Sequence, residues 1–180
     1  MILDALLQFS PSPTGDSLAS PVGTYPSSNV LDLHMLGIPV LGVNQGARDM
    51  GIGDDPALKL LVQVATAFTS AGAGTLQVIL QGAPDNGSGL PAAFVNWWLS
   101  PAYALASLIQ GARLYDMDMP RPPDGVQVPR FLRMSYVVGG ATFTAGAILA
   151  MIVLDRMDQM YNASQNAIMG GYPPGIVIAN

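Results

Sequence analysis

The chain has 180 residues, a net charge of -5 at pH 7 and a sequence pI near 4.4. Charged residues make up 11% of it, against about 25% in an average soluble domain, and there is no cysteine, no glutamate and a single lysine, Lys59. This composition excludes disulfides, thiolate chemistry and cysteine-based metal sites, and the scattered arginines argue against direct binding of nucleic acid.

Half of the residues are apolar, and the chain contains 20 Gly and 15 Pro. Many short elements joined by many turns are typical of an all-β sandwich or barrel, and the length fits one domain. A surface with so little charge is small, consists mostly of loops, or is covered by a partner.

The first 28 residues read as an extended segment. The opening run MILDALLQFS carries Asp4 and lacks a basic region, so it does not resemble a secretory signal. Residues 10–28 are rich in Pro, Ser and Gly and cannot build a core of their own. We therefore predict an N-terminal arm, residues 1–28, that something else holds in place.

The middle of the chain shows the two-residue alternation of strands. The pattern predicts strands at residues 30–35, 58–68, 75–81, 112–119 and 130–138. Leu61 breaks the alternation in the second of these. Residues 147–155 have no polar position before Asp155, which predicts a strand covered on both faces.

Two small-residue segments interrupt this pattern at similar places. TSAGAG (69–74) is predicted as a hairpin turn, and GGATFTAG (139–146) as a hairpin corner. The second lies inside the uncharged run 134–154, which is long enough to span a membrane as a helix. Because GGATFTAG is rich in glycine and suits a turn, we predict two strands there and not one helix. AFTSAGAGTLQVIL (67–80) and TFTAGAILAMIVL (142–154) each place Phe-Thr, a small-residue turn and an apolar strand in the same order, a weak internal echo.

These elements together predict an all-β fold, a jelly-roll-like antiparallel β-sandwich with long loops and extended terminal arms. We assign the sandwich to residues 29–156 and a C-terminal arm to residues 157–180.

The polar residues offer few candidates for chemistry. Asp32 and His34 would share a strand face, but no nucleophile elbow accompanies them. The loop carboxylates Asp49, Asp54 and Asp55 could hold Ca²⁺, although the EF-hand spacing is absent. Asp116 and Asp118 resemble the paired carboxylates of glycosidases, but they lack a partner across a cleft. We interpret His34 as a structural histidine, the loop carboxylates as solvated charge, and the Asp116 and Asp118 pair as a solvated strand face. No catalytic, cofactor-binding or metal-binding residue is assigned.

Trp97 and Trp98 are the two tryptophans of the chain. On a strand, one would point into the core and one outward. The outward ring would serve an interface, ordinary packing or a sugar-binding platform.

The ordered set of motifs resembles a known family. MILDALLQFS, SSNVLDL, DMGIGDD, LKLLVQVATAFTSAGAGTLQVILQ and RFLRMSYVVGGATFTAGAILAMIVLDR together are similar to the capsid cement proteins of Bordetella-type short-tailed phages. This resemblance implies a jelly roll that binds the outer surface of the phage head, clamps neighbouring major capsid subunits, forms a symmetric dimer and performs no catalysis. It also implies synthesis in the host cytoplasm and a final location on the virion.

The expected partner is thus the major capsid protein, with a homodimer or other homo-oligomer on the shell and no cofactor, membrane or nucleic acid. Candidate partner-binding residues are the large side chains of the two arms and the tryptophan pair: Ile2, Leu3, Leu6, Leu7, Phe9, Tyr25, Trp97, Trp98, Tyr172 and Ile176. Alternatives are a tail or fibre jelly roll, a carbohydrate-binding module that uses the tryptophans, and an enzyme.

Overall fold

The computed structural model describes residues 7–33, 58–120, 124–125, 129–154, 160–162 and 167–169. In these residues the chain forms twelve strands and a short 3-10 helix, Leu105–Ser107. The strands are β1 Asp16–Ser17, β2 Gly23–Pro26, β3 Leu31–Asp32, β4 Leu58–Ser70, β5 Thr75–Ala83, β6 Val95–Leu99, β7 Tyr103–Ala104, β8 Arg113–Asp118, β9 Phe131–Gly139, β10 Phe143–Leu154, β11 Met160–Asn162 and β12 Ala167–Met169.

The strands build an antiparallel jelly roll, as predicted. Sheet A has the order β1-β10-β4-β8, and sheet B has the order β2-β9-β5-β6. In sheet B, β3 continues the β2 row along β9, and β7 continues the β6 row along β5. Each sheet thus has four rows, and when the rows are numbered along the chain their orders are 1-8-3-6 and 2-7-4-5. This double Greek key is the jelly-roll topology.

The predicted alternation matches the burial of the inner faces. In β9 the inward residues Leu132, Met134, Tyr136 and Val138 are at most 1% exposed. In β5 the inward Leu76, Val78 and Leu80 are fully buried. The core therefore lies between the two sheets, where each strand contributes every second side chain.

Residues 147–153 of β10 pack on both faces of the sheet, as predicted for the run 147–155. Its inner residues Ile148 and Ile152 pack in the main core. Its outer residues Met151 and Val153 form a second buried cluster with Leu61 of β4. Leu61 breaks the alternation of β4 because it belongs to this outer cluster.

The two small-residue segments are corners between the sheets, so their prediction as hairpin turns is wrong. β4 lies in sheet A and β5 in sheet B, and likewise β9 lies in sheet B and β10 in sheet A. The corners pack against each other: a Cβ on Gly140, at φ +71, would lie 2.1 Å from the Ala73 carbonyl oxygen. The internal echo does not mark two equivalent corners, because Ala145 and Gly146 of its second half lie within β10, where the register against β4 shifts.

The N-terminal segment from residue 7 onward belongs to the sandwich, which corrects the predicted arm 1–28. β1 pairs with β10 and β2 pairs with β9, so each sheet takes an edge row from it. Phe9 is 0% and Leu18 is 2% exposed. A Pro/Ser-rich segment cannot form a core alone, but a few apolar side chains suffice for an edge row that packs on an existing core.

The C-terminal arm predicted at 157–180 lies mostly outside the described residues. Within it, β11 and β12 form an antiparallel pair.

Candidate interaction surfaces

Two of the predicted partner-binding residues lie in the core, which contradicts their assignment. Leu7 is 8% exposed and Phe9 is fully buried, both in the main cluster. Tyr25 is half-buried beside this cluster, and its hydroxyl donates a 2.9 Å hydrogen bond to the Pro21 carbonyl. Lying outside the described residues are Ile2, Leu3, Leu6, Tyr172 and Ile176.

Trp97 and Trp98 both contact the core, so the predicted inward–outward split is wrong. Trp98 pairs with Leu80, the next pair is Asn96 with Gln81, and Trp97 is the extra residue of a β-bulge. A bulge disrupts the alternation locally and re-aims a side chain. Trp97 is 8% exposed and packs on Gly82, where a Cβ would lie 2.5 Å from the indole.

Trp98 connects the edge strand β6 of sheet B to the edge strand β8 of sheet A. Its ring packs against that of Tyr115 of β8, with 4.3 Å between centroids and 52° between the ring planes, which joins the two edges. The Tyr103 hydroxyl donates a 2.6 Å hydrogen bond to the Leu114 carbonyl at the same edge. Because one indole is buried and the other is covered by tyrosine, the two rings do not form a flat sugar-binding platform.

A buried polar cluster links the N-terminal segment to both sheets. Ser10 Oγ donates to Asp16 Oδ2 at 2.9 Å, and it accepts from the Tyr136 hydroxyl at 3.0 Å and from the Ala150 N–H at 3.3 Å. The Ser28 N–H and hydroxyl donate to the same carboxylate. Burial raises the pKa of Tyr136, so its hydroxyl remains a donor. Ser10 is 0% exposed, so the cluster is structural.

Arg130 joins three segments at one end of sheet B. Its Nε and Nη2 each donate to a different oxygen of Asp32 at 2.9 Å, and its Nη1 donates to Asp85. Bidentate pairing with a carboxylate fixes the geometry of both side chains. The sequence showed no sign of this clamp, because its three members lie far apart along the chain.

Asp85 also shapes the loop before β6. Its Oδ1 accepts the N–H groups of Gly87 and Gly89 at 2.8 and 3.0 Å. Partial burial alone would raise the pKa of Asp85, but these two N–H groups and Arg130 outweigh it, and the pKa lies below its ordinary value.

The outer face of sheet A carries ion pairs. Lys59 pairs with Asp118, and Arg113 pairs with Asp116 at 3.0 Å. The two carboxylates suspected of glycosidase chemistry are thus held by neighbouring cations on an exposed strand. No His, Cys, Asp or Glu group within the described ranges could hold a metal ion. His34 and the carboxylate loop 49–55 lie outside those ranges.

Exposed apolar side chains concentrate at the β6 side of sheet B. Leu90 in the loop before β6 is 60% exposed, and Val95 and Leu99 within β6 are 43% and 50% exposed. We call these three residues the β6 edge. Uncharged edge strands are a template for association. Elsewhere in the described chain the large exposed apolar residues are Val22, Val30 and Ile109.

A comparison with protein-family models identifies the family of this chain. The model of the Bbp16 family, a family of Bordetella phage proteins, matches residues 24–152. The chain belongs to the Bbp16 family. The Bbp16 match begins in β2 and ends in β10, so it includes the bulge, the Arg130 clamp and the β6 edge.

No curated protein matches the chain. Among the described residues, no helix is long and apolar enough to cross a membrane.

Proposed function

We propose that this Bbp16-family protein is a capsid cement protein, which binds the outer surface of the phage head and clamps neighbouring major capsid subunits. The observation that carries the proposal is the family match across seven of the eight jelly-roll rows. Fold alone does not assign a function, but jelly rolls are frequent in viral shells. The proposal assigns no catalytic step to any residue.

The physical basis of such a function is mass action. A protein that binds the assembled shell and not free subunits adds its binding free energy to the stability of the shell. A standard interface buries about 1,600 Å² in total, and many copies on one shell multiply a modest contact. A rigid sandwich with an uncharged edge suits this task, because little conformational entropy is lost on docking.

The β6 edge is the proposed contact surface. Its exposed Leu90, Val95 and Leu99 offer apolar area that burial against a capsid subunit would remove from water. By contrast, the outer face of sheet A carries the Lys59–Asp118 and Arg113–Asp116 ion pairs. Charged residues are depleted at the centres of protein interfaces.

The test is co-sedimentation of the purified protein with empty shells of its own major capsid protein. We expect saturable binding, and we expect Leu99→Asp to weaken it by roughly 10-fold or more, as at an interface hot spot. The matched control is Val22→Asp, which places the same charge at a site of similar exposure next to β2, at the opposite edge of sheet B. Failure of the wild-type protein to bind mature shells would overturn the proposal.

A further inference from the structure

A row of three polar side chains crosses the outer face of sheet B. Arg133 of β9 pairs in register with Gln81 of β5, which pairs with Asn96 of β6. Arg133 Nε donates to Gln81 Oε1 at 2.8 Å, and Gln81 Nε2 donates to Asn96 Oδ1 at 2.7 Å. The row therefore forms a continuous hydrogen-bonded chain from β9 to the edge of the sheet.

The guanidinium group of Arg133 is held in one orientation. It lies over the ring of Phe94, with 3.8 Å between the Cζ atom and the ring centroid. The ring covers one face of the group, and Gln81 takes the Nε–H. The two Nη groups, the fork that binds carboxylates and phosphates, take no part in the row.

Arg133 differs from the other described cations. Lys59, Arg113 and Arg130 each form an ion pair with an aspartate. Within the described ranges no carboxylate pairs with Arg133, and partial burial lowers its pKa. A half-buried charge without a counter-ion is unfavourable in the free protein, so a carboxylate supplied by a partner would remove that cost.

We propose that Arg133, oriented by Phe94 and Gln81, is the anchor that binds an aspartate or glutamate side chain of the major capsid subunit. This inference rests on the proposed function. Arginine is enriched among interface hot spots, and surrounding contacts that exclude water strengthen them. The row ends at β6, beside Leu99, and so continues into the β6 edge.

Five of the six described aspartates of this chain already have partners within it. Among the described aspartates, Asp16 is bound by Ser10 and Ser28. Asp32 and Asp85 are bound by Arg130, and Asp116 and Asp118 pair with other cations. A second copy would therefore break its own bonds to supply any of these five. The sixth, Asp124, is exposed between β8 and β9, so it is the described aspartate through which a second copy could compete, and the light-scattering readout below tests that source.

The experiment compares shell binding of Arg133→Gln and Arg133→Lys by co-sedimentation, with Arg113→Gln as the control that removes an arginine from sheet A. We expect Arg133→Gln to raise the Kd by roughly 10-fold or more. Arg133→Lys keeps the charge but loses the fork, so we expect it to recover only part of the binding. Arg113→Gln should stay within about 2-fold of the wild type, since exposed pairs contribute little.

Wild-type binding that Arg133→Gln leaves unchanged would overturn this inference and leave the proposed function standing. Absence of wild-type binding would instead remove the proposed function. Light scattering on the free protein adds a second readout. A change of oligomeric state in Arg133→Gln would assign the carboxylate to a second copy and overturn the capsid anchor. Unchanged melting temperatures confirm that the variants fold.

Discussion

Replacing Phe9 by alanine tests whether the N-terminal segment is part of the sandwich. The side chain is 0% exposed and lies in the main cluster, and its N–H donates a 2.9 Å hydrogen bond to Ala150 of β10. Truncation of a buried phenylalanine costs about 3–5 kcal/mol from lost burial and the cavity left behind. In a domain of this size that corresponds to roughly 6–20 °C in Tm.

The assay is thermal and urea unfolding followed by tryptophan fluorescence and circular dichroism. The matched control is Val22→Ala in the same segment, because Val22 is 57% exposed and surface substitutions change stability by less than about 0.5 kcal/mol. If Phe9→Ala were as stable as Val22→Ala, the segment would be an arm that docks elsewhere, and the argument from its burial would fail.

Three further changes test other parts of the account. Gly140→Ala forces a side chain onto a backbone at φ +71 against the facing corner and should cost about 1–3 kcal/mol or more; a neutral result in urea unfolding would contradict the packing of the corners. Ser10→Ala removes the hydroxyl shared by Asp16 and Tyr136 and should cost about 1–3 kcal/mol; equal stability would show that the polar cluster contributes nothing. Asp85 has a lowered folded pKa, so its stabilisation is present above its unfolded pKa of about 3.9 and is lost as the pH falls through the folded value. The difference in stability between Asp85→Asn and the wild type should therefore be constant from pH 5 to 8 and shrink below about pH 4; a pH-independent difference would contradict the ionic role of this carboxylate.

The inner faces of the sandwich were predictable because they depend on local pattern. Alternation in residues 58–64, 75–81 and 130–138 identified the strands and their buried faces. The uninterrupted apolar run of β10 indicated burial on both faces, and the structure shows it.

Features that depend on pairing between strands distant in sequence cannot be predicted from the local pattern of residues. A Gly-rich link between two strands is compatible with a hairpin and with a corner that crosses between sheets, and only the partners of β4 and β5 distinguish them. The bulge at Trp97 is a register shift against β5 and leaves no mark on the sequence of β6 itself. The placement of Arg133 on Phe94 likewise requires three strands to lie in register.

The N-terminal segment was misassigned for a different reason. Composition correctly indicated that residues 10–28 cannot fold alone, but it did not show what they pack on. The structure answers this within the chain, since Phe9 and Leu18 are buried and Asp16 is bound by two serines.

The measurement that tests the central claim most directly is the melting temperature of empty shells titrated with the purified protein. A protein that binds the assembled lattice in preference to free subunits raises that temperature as its free concentration passes the Kd. We predict a saturable rise for the wild type and, at equal concentration, a smaller rise for Leu99→Asp than for Val22→Asp. A shell whose melting temperature stays constant at saturating protein would contradict the claim that this protein acts as cement.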